Sequence, residues 1–338
     1  MTITLPELVT PTGVLILPAD ASREEWLKAR RSGIGGSDAL GVLGLSQYSS
    51  RYTVWADKSG LLRETDDSEV MRWGRLLEPV IAAEFQERTG IEATTCGLMR
   101  HVERSWQLAS VDRLTADGGV LEIKTTSAYK AGDWDDDQLA DAAEAQLQHY
   151  LAVTGLEHGY AAALIGGQRL EIRHVERNDR LISLMVEAQA DLWQMVQDGT
   201  PPALDGTDAT ARAIAELCPY AIDLPAELPA AMVTRLRADQ GWAEEIKILE
   251  QQRKAVKNEI TALLGDLNVG TYQGQDVVTW KNTGKFAADK FTSDHPDLAE
   301  QFTAPVPQLD EKALKAAHPD LYARYRSRVF RPIKKGLQ

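Results

Sequence analysis

Ala109-Ser-Val-Asp112-Arg-Leu-Thr-Ala-Asp117-Gly118-Gly119-Val-Leu-Glu122-Ile-Lys124-Thr-Thr126 reads as two strands around a turn. Leu108, Ser110 and Asp112 alternate with Ala109, Val111 and Arg113, and Val120, Glu122 and Lys124 alternate with Leu121 and Ile123. A strand's period of two puts Glu122 and Lys124 on one side, roughly 7 Å apart, and turns Leu121 and Ile123 into the opposite layer. The turn decides whether Asp112 joins them. A two-residue Asp117-Gly118 turn pairs Arg113 with Glu122 and sends Asp112 to the other face. A three-residue Ala116-Asp117-Gly118 loop, with Gly118 left-handed, sets Asp112 opposite Glu122, and this is the register expected. Two acids and a lysine on one face stabilise a sheet poorly, but they suit a divalent cation held beside a cationic group. The plainer alternative is a solvated strand face with an incidental Glu-Lys pair.

The chain of 338 residues, 43% of them hydrophobic, can bury a full core and has room for more than one unit. No apolar run approaches the roughly 20 residues of a membrane span, and the N-terminus lacks a signal-like series, so the expectation is a cytoplasmic protein with no membrane partner. Cys96 and Cys218 have no close partner in sequence, which excludes a disulfide framework and a four-cysteine metal site. A formal net charge of −13 argues against a generic nucleic-acid coat. It leaves room for a DNA enzyme, because a metal site requires carboxylates and a concave surface can be locally positive.

Outward from the hairpin, residues 1–21 read as an extended arm with Pro6, Pro11 and Pro18, and Ser22-x-x-Glu25 as a capping box opening a short helix through Trp26 to Arg30-Arg31. Ser32-Gly-Ile-Gly-Gly-Ser37-Asp38 then frees the backbone for a close approach, with Ser37 or Asp38 capping a helix over 39–43. Helix-start N–H groups after two arginines make either an anion site or a plain helix-to-helix turn. Tyr52–Gly60 reads as another short helix, and Glu64–Asp67 as a solvated loop. Ser68 opens a long helix with Val70, Trp73, Leu77, Ile81 and Phe85 as its buried stripe, and Glu78 sits between Gly74 and a Pro79 expected to kink or restart it. Strands are expected at 91–95 and 98–102. Asp133, Asp135, Asp136 and Asp137 lack the glycine and closing glutamate of a calcium-binding loop and read as a solvated loop or helix start. A helix over 139–153 carries Gln146 on an otherwise apolar stripe, where it and Tyr150 either reach the charged strand face or edge into water. Strands at 158–165 and 168–174 and a helix over 179–197 close a first domain, an α/β layer around a mixed sheet with flanking helices, at residue 203. Residues 204–265 form a connector and a long polar helix from 230 to 264. Residues 266–338 make a small α+β unit with strands at 269–272 and 276–280, short helices from Asp310 and Pro319, and a basic tail bearing Arg324, Arg326 and Arg328, whose natural partner is a DNA backbone.

Five segments in order, Arg30-Arg31-Ser-Gly-Ile-Gly-Gly-Ser-Asp38, Gly74-Arg-Leu-Leu-Glu78-Pro79, Ser110-Val-Asp112, Glu122-Ile-Lys124 and Gln146-x-x-x-Tyr150, resemble the phage-type alkaline exonucleases of the YqaJ-like viral recombinase group, related to lambda exonuclease. The resemblance covers roughly residues 22–175 and implies a PD-(D/E)XK nuclease core, although Val111 stands where that name places proline. It implies Asp112 and Glu122 as ligands of magnesium, or of manganese in its place, with the Ile123 carbonyl a third and Glu78 completing the shell. Lys124 would orient or deprotonate the attacking water and stabilise the phosphate, with Gln146 and Tyr150 supporting it. Arg30 or Arg31, with Ser37, would hold a 5′ phosphate, and the register does not choose between the arginines. The implied activity is a 5′-to-3′ exonuclease on double-stranded DNA ends, acting as a homo-oligomeric ring, a trimer or tetramer, and yielding 3′ single strands for an annealing protein. Alternatives are a restriction-like endonuclease or junction resolvase on the same core, or an inactive DNA-end-binding protein.

Overall fold

The computed structural model describes residues 9–63, 68–135, 138–220, 222, 224–281, 287–302, 309, 311–319 and 322. The Arg324, Arg326 and Arg328 tail, the 64–67 loop, and Asp136 and Asp137 lie outside them. The chain divides into two compact units, Met1–Pro219 and Tyr220–Gln338.

In the first unit, β1 (Gly13–Leu17) is followed by α1 (Arg23–Arg30), a short 3-10 turn (Gly36–Asp38), α2 (Ala39–Val42), α3 (Arg51–Lys58) and α4 (Glu69–Thr89). Then come β2 (Ala93–Thr95), β3 (Leu98–His101), β4 (Leu108–Ser110), β5 (Arg113–Thr115), β6 (Val120–Thr126), α5 (Asp141–Thr154), β7 (His158–Ile165), β8 (Arg169–Glu176), α6 (Asp179–Asp198) and α7 (Asp208–Leu217). The main sheet runs β2-β5-β6-β7-β8, with β6 parallel to β7 and the other pairs antiparallel. A parallel pair needs a crossover, and α5 supplies it. A second sheet, β1-β3-β4, stands beside the first.

Two helices cover the main sheet from opposite sides. Ile81, Ala82 and Phe85 of α4 pack against Leu121, Ile123, Ala162 and Leu170. Leu147, Tyr150 and Leu151 of α5 pack against Val120, Ala161, Ala163 and Ile165. The alternation along β6 therefore sorts its side chains as period two requires.

Several sequence expectations are corrected. The N-terminal arm contributes β1, because Gly13–Leu17 finds a partner in β3. The strand read over 108–113 is two strands in two sheets. The stripe of α4 is buried only in its second half: Ile81 and Phe85 are in the core, but Val70 and Trp73 are 75% and 50% exposed. Pro79 lies inside one continuous helix, Glu69–Thr89. The first unit extends past residue 203 because α7 packs onto it: Ala209 and Ala213 are buried, and the Ser50 and Thr210 hydroxyls lie 2.7 Å apart.

In the second unit α8 spans Ala230–Leu264 and leads into a hairpin of β9 (Val269–Tyr272) and β10 (Gln275–Thr279). The short helices α9 (Ala288–Asp294) and α10 (Pro296–Phe302), which the sequence pattern does not show, precede α11 (Glu311–Ala317). No helix among the described residues is long and apolar enough to cross a membrane.

Candidate active site

The hairpin turn sets the register. Gly118 adopts φ 88°, a conformation that favours glycine, and Thr115 closes the loop by donating its amide to the Gly119 carbonyl at 3.0 Å and accepting from the Gly118 amide at 3.0 Å. The loop is therefore Ala116-Asp117-Gly118. Arg113 pairs with Leu121 and Leu114 with Val120, so one further step brings Asp112 opposite Glu122. There the ladder stops, because Asp112 Oδ2 accepts the Ile123 amide at 2.7 Å in place of a backbone carbonyl. The chain bends at Asp112, and β4 before it joins the other sheet.

Glu122 is 2% exposed, and its Oε1 is ion-paired with Lys124 Nζ. Lys124 also donates to Gln146 Oε1 at 2.8 Å; Gln146 Nε2 donates to the Tyr150 hydroxyl at 2.7 Å, and Tyr150 donates to the Ser110 carbonyl at 2.8 Å. Each link from Lys124 to Ser110 runs from one donor to one acceptor, which fixes the amide's orientation and holds the ammonium beside the acids. Burial and the neighbouring Glu122 charge push the Asp112 carboxyl well above its ordinary value. Burial also raises Glu122, against the opposing pull of Lys124. Desolvation pulls Lys124 down, but the charges of Glu122 and Asp112 outweigh it and hold the ammonium above its usual range.

Glu78, on α4, bears on both acids electrostatically, yet its Oε1 is engaged by Arg113 Nη1 at 2.5 Å. The same nitrogen donates to the Asp112 carbonyl at 2.5 Å. Among the described residues no three His, Cys, Asp or Glu side chains gather into a ready cation cluster. The fit to a metal rests on the remaining pair. Glu122 Oε2 is buried and without a hydrogen-bond partner, and a desolvated carboxylate oxygen in that state is completed by a cation. Two carboxylates and nearby backbone carbonyls are the hard oxygen donors that magnesium takes.

The glycine-rich turn lies against this site. Its Ile34 amide donates to the Trp106 carbonyl at 2.7 Å, and its carbonyl accepts from the Leu108 amide at 2.9 Å, locking the turn onto the start of β4. A Cβ on Gly36 would stand 2.6 Å from Tyr150 Cε1 and 2.9 Å from Gln146 Cγ, so only glycine allows this approach. The two arginines part company. Arg30 Nη2 donates to Ser37 Oγ at 2.6 Å, whereas Arg31 turns away to the Leu62 carbonyl at 3.3 Å and to Asp57 at 3.7 Å. Asp38 makes no forward cap on α2; its Oδ2 reaches back to accept the Gly35 amide at 2.9 Å. Asp133 lines the same cavity as Lys124, whereas Asp135 is paired with Arg169 at 2.9 Å.

Sequence reasoning missed Arg113, Trp26 and Lys58. Arg113 had a signal in its place on the apolar face of its strand, and Lys58 in sharing a helical stripe with buried Val54 and Trp55. Trp26 had none.

Residues 25–157 match the model of the YqaJ-like viral recombinase domain. Protein YqaJ of Bacillus subtilis (strain 168) is 34% identical over 297 residues, spanning 85% of this chain and 93% of that one. Protein D345L of African swine fever virus (strain Badajoz 1971 Vero-adapted) is 39% identical over 57 residues, 17% of this chain and 16% of its own. An alkaline exonuclease from Laribacter hongkongensis aligns with a TM-score of 0.46 at 22% identity, over 52% of this chain and 93% of that one. With 34% identity to one relative over 85% of this chain and 93% of that one, the chain belongs to the YqaJ-like viral recombinase family.

Proposed function

We propose that the protein is a magnesium-dependent exonuclease that degrades the 5′-ended strand of double-stranded DNA inside a bacterial host cell, leaving 3′ single strands for an annealing protein. The observation that carries this reading is the Asp112–Glu122 pair, with its orphaned Glu122 oxygen, set directly beside the Lys124 ammonium. Membership of a recombinase family supports DNA as the substrate.

Asp112 and Glu122 would hold the metal, with the Ile123 carbonyl as a third donor. Bound magnesium, or manganese in its place, supplies charge neutralisation and a water acidic enough to attack at neutral pH. Lys124 stays protonated because two carboxylates face it, so its part is to donate to the phosphate and stabilise the developing dianion. Gln146, fixed from behind by Tyr150, keeps that ammonium on station. Arg30 and Ser37 receive the terminal 5′ phosphate, which sets the direction of digestion.

Incubation with linear and with closed circular duplex, in magnesium and in chelator, tests the reading. Linear DNA should be degraded only with metal, faster from 5′-phosphate than from 5′-hydroxyl ends, and the closed circle should survive. Cutting of the closed circle would replace the exonuclease with an endonuclease; full activity in chelator, or in Asp112→Ala, would remove the metal site.

A further inference from the structure

Among the described residues Lys58 is the most deeply buried charge outside the Asp112–Glu122 pair, and nothing in the chemistry above uses it. Its side chain, at the last turn of α3, is 0% exposed. Its ammonium lies 2.9 Å from Asp38 Oδ2 and 3.4 Å from Asp57 Oδ2, and donates to the Arg30 carbonyl at 3.3 Å. Asp38, buried in turn, passes the constraint on. Its Oδ2 accepts the Gly35 amide at 2.9 Å, and its Oδ1 lies 3.4 Å from Arg30 Nη2, the nitrogen that also donates to Ser37. Arg30 is 32% exposed, and its guanidinium stands 5.3 Å over the Trp26 ring, whose Nε1 donates to Ser110 Oγ at 3.3 Å, two residues before Asp112.

A buried ion pair is a poor source of stability, because desolvating both charges offsets most of their attraction; an apolar pair of the same volume serves a core as well or better. What the pair provides here is geometry. A long arginine side chain near a surface samples many rotamers, and holding it in one orientation carries an entropy cost that a fixed counter-ion reduces. Lys58 also keeps Asp38 ionised despite its burial, which leaves the carboxylate able to grip both the Gly35 amide and Arg30. Trp26 closes the other side of the guanidinium with its ring.

Resting on the reading of Arg30 and Ser37 as the 5′-phosphate receptor, we infer that the buried Lys58–Asp38 pair is the brace that aims this receptor, making Lys58 a positioning residue for recognition of phosphorylated DNA ends. Lys58 never meets the DNA itself. It acts through Asp38 on Arg30 and on the glycine-rich turn.

The test is binding, not turnover. Affinity for a duplex carrying a 5′ phosphate is compared with that for the same duplex carrying a 5′ hydroxyl, by fluorescence anisotropy in chelator. Wild type should favour the phosphate by about tenfold, the scale of one or two charge-assisted hydrogen bonds. Lys58→Met should bring that ratio close to one while affinity for the hydroxyl end is unchanged. Because Lys58→Met strands the Asp38 charge and is prone to unfold, the double variant Lys58→Met/Asp38→Asn removes both charges together and keeps the core neutral. It should fold and show the same loss of preference, as should Arg30→Ala. A folded double variant that keeps the wild-type ratio overturns the brace, whereas Arg30→Ala keeping it overturns the receptor beneath it. Hydrolysis of linear duplex in magnesium, measured separately, reports on the nuclease reading without touching either result.

Discussion

The two faces of β6 are built to different rules. On one side Leu121 and Ile123 meet Ile81, Ala82 and Phe85 of α4 in a dry contact of hydrocarbon on hydrocarbon. On the other, Glu122 and Lys124 meet Gln146 and Tyr150 of α5 through polar contacts, with a buried oxygen left unpartnered. Residues one step apart along the same strand thus serve opposite ends. The apolar face lowers the free energy of the fold, while the charged face raises it, a cost that the proposed metal would offset on binding. Substitutions on the two faces should therefore separate stability from activity.

The largest effect falls on the charged face. On the proposed function, Lys124→Ala removes the donor to the phosphate and should lower the single-turnover hydrolysis rate on linear duplex by about 10²- to 10³-fold. Because Lys124→Ala leaves the buried Glu122 carboxylate without its counter-ion, the rate is read on protein that circular dichroism shows to be folded. On the apolar face, Phe85→Ala should do the reverse. Phe85 is fully buried, so truncation costs roughly 3–5 kcal/mol. Denaturant unfolding should register that loss, while kcat of the fraction still folded changes little. If Phe85→Ala abolished activity in protein shown to be folded, the division between the faces would be wrong.

The same division explains what was legible in the sequence. Alternation names both faces of β6, and one glycine in a three-residue loop fixes the register, because a strand's period and a positive φ are local properties. The bend at Asp112 was not legible. It arises where a side chain takes the Ile123 amide from the ladder, and pattern alone does not reveal a side chain standing in for backbone. Nor was the bareness of Val70 and Trp73 on α4, since helical periodicity shows which residues share a stripe but not how much of that stripe is covered. The choice of Arg30 over Arg31 as the neighbour of Ser37 needed the third dimension, because helix phase and the turn after it set the two side chains apart. Glu78 was legible as a candidate; its Arg113 partner, on another element, was not.

A smaller effect probes the seam between the glycine-rich turn and the charged face. In Gly36→Ala the new methyl would stand 2.6 Å from Tyr150 Cε1, and either the turn or the ring must yield. Overpacking of this kind costs about 1–3 kcal/mol. Because Tyr150 orients Gln146, and Gln146 holds Lys124, the displacement should also slow hydrolysis, by roughly tenfold if it is worth about 1.4 kcal/mol in the transition state. A Gly36→Ala variant with wild-type turnover would show the turn and the charged face to be independent.

The smallest effect carries the opposite sign to the others. Asp112→Asn keeps an oxygen for the Ile123 amide but removes a charge that burial and Glu122 disfavour. The wild-type carboxyl titrates higher when folded than when unfolded, so the folded state binds the proton more tightly, and wild-type stability falls as pH rises from the ordinary carboxylate value of 3.8 through the raised folded one. Asparagine does not titrate and escapes that decline. In chelator the variant should melt a few degrees above wild type at pH 8, and the gap should close as pH drops below 3.8, where the wild-type carboxyl is protonated in the folded and unfolded states alike. Magnesium should reverse the order at pH 8, because only wild type keeps both carboxylates for the cation and gains its binding energy. A variant that melts lower than wild type in chelator at pH 8 would mean that Asp112 stabilises the hairpin in its own right, and the charged face would then differ from the apolar one in chemistry but not in purpose.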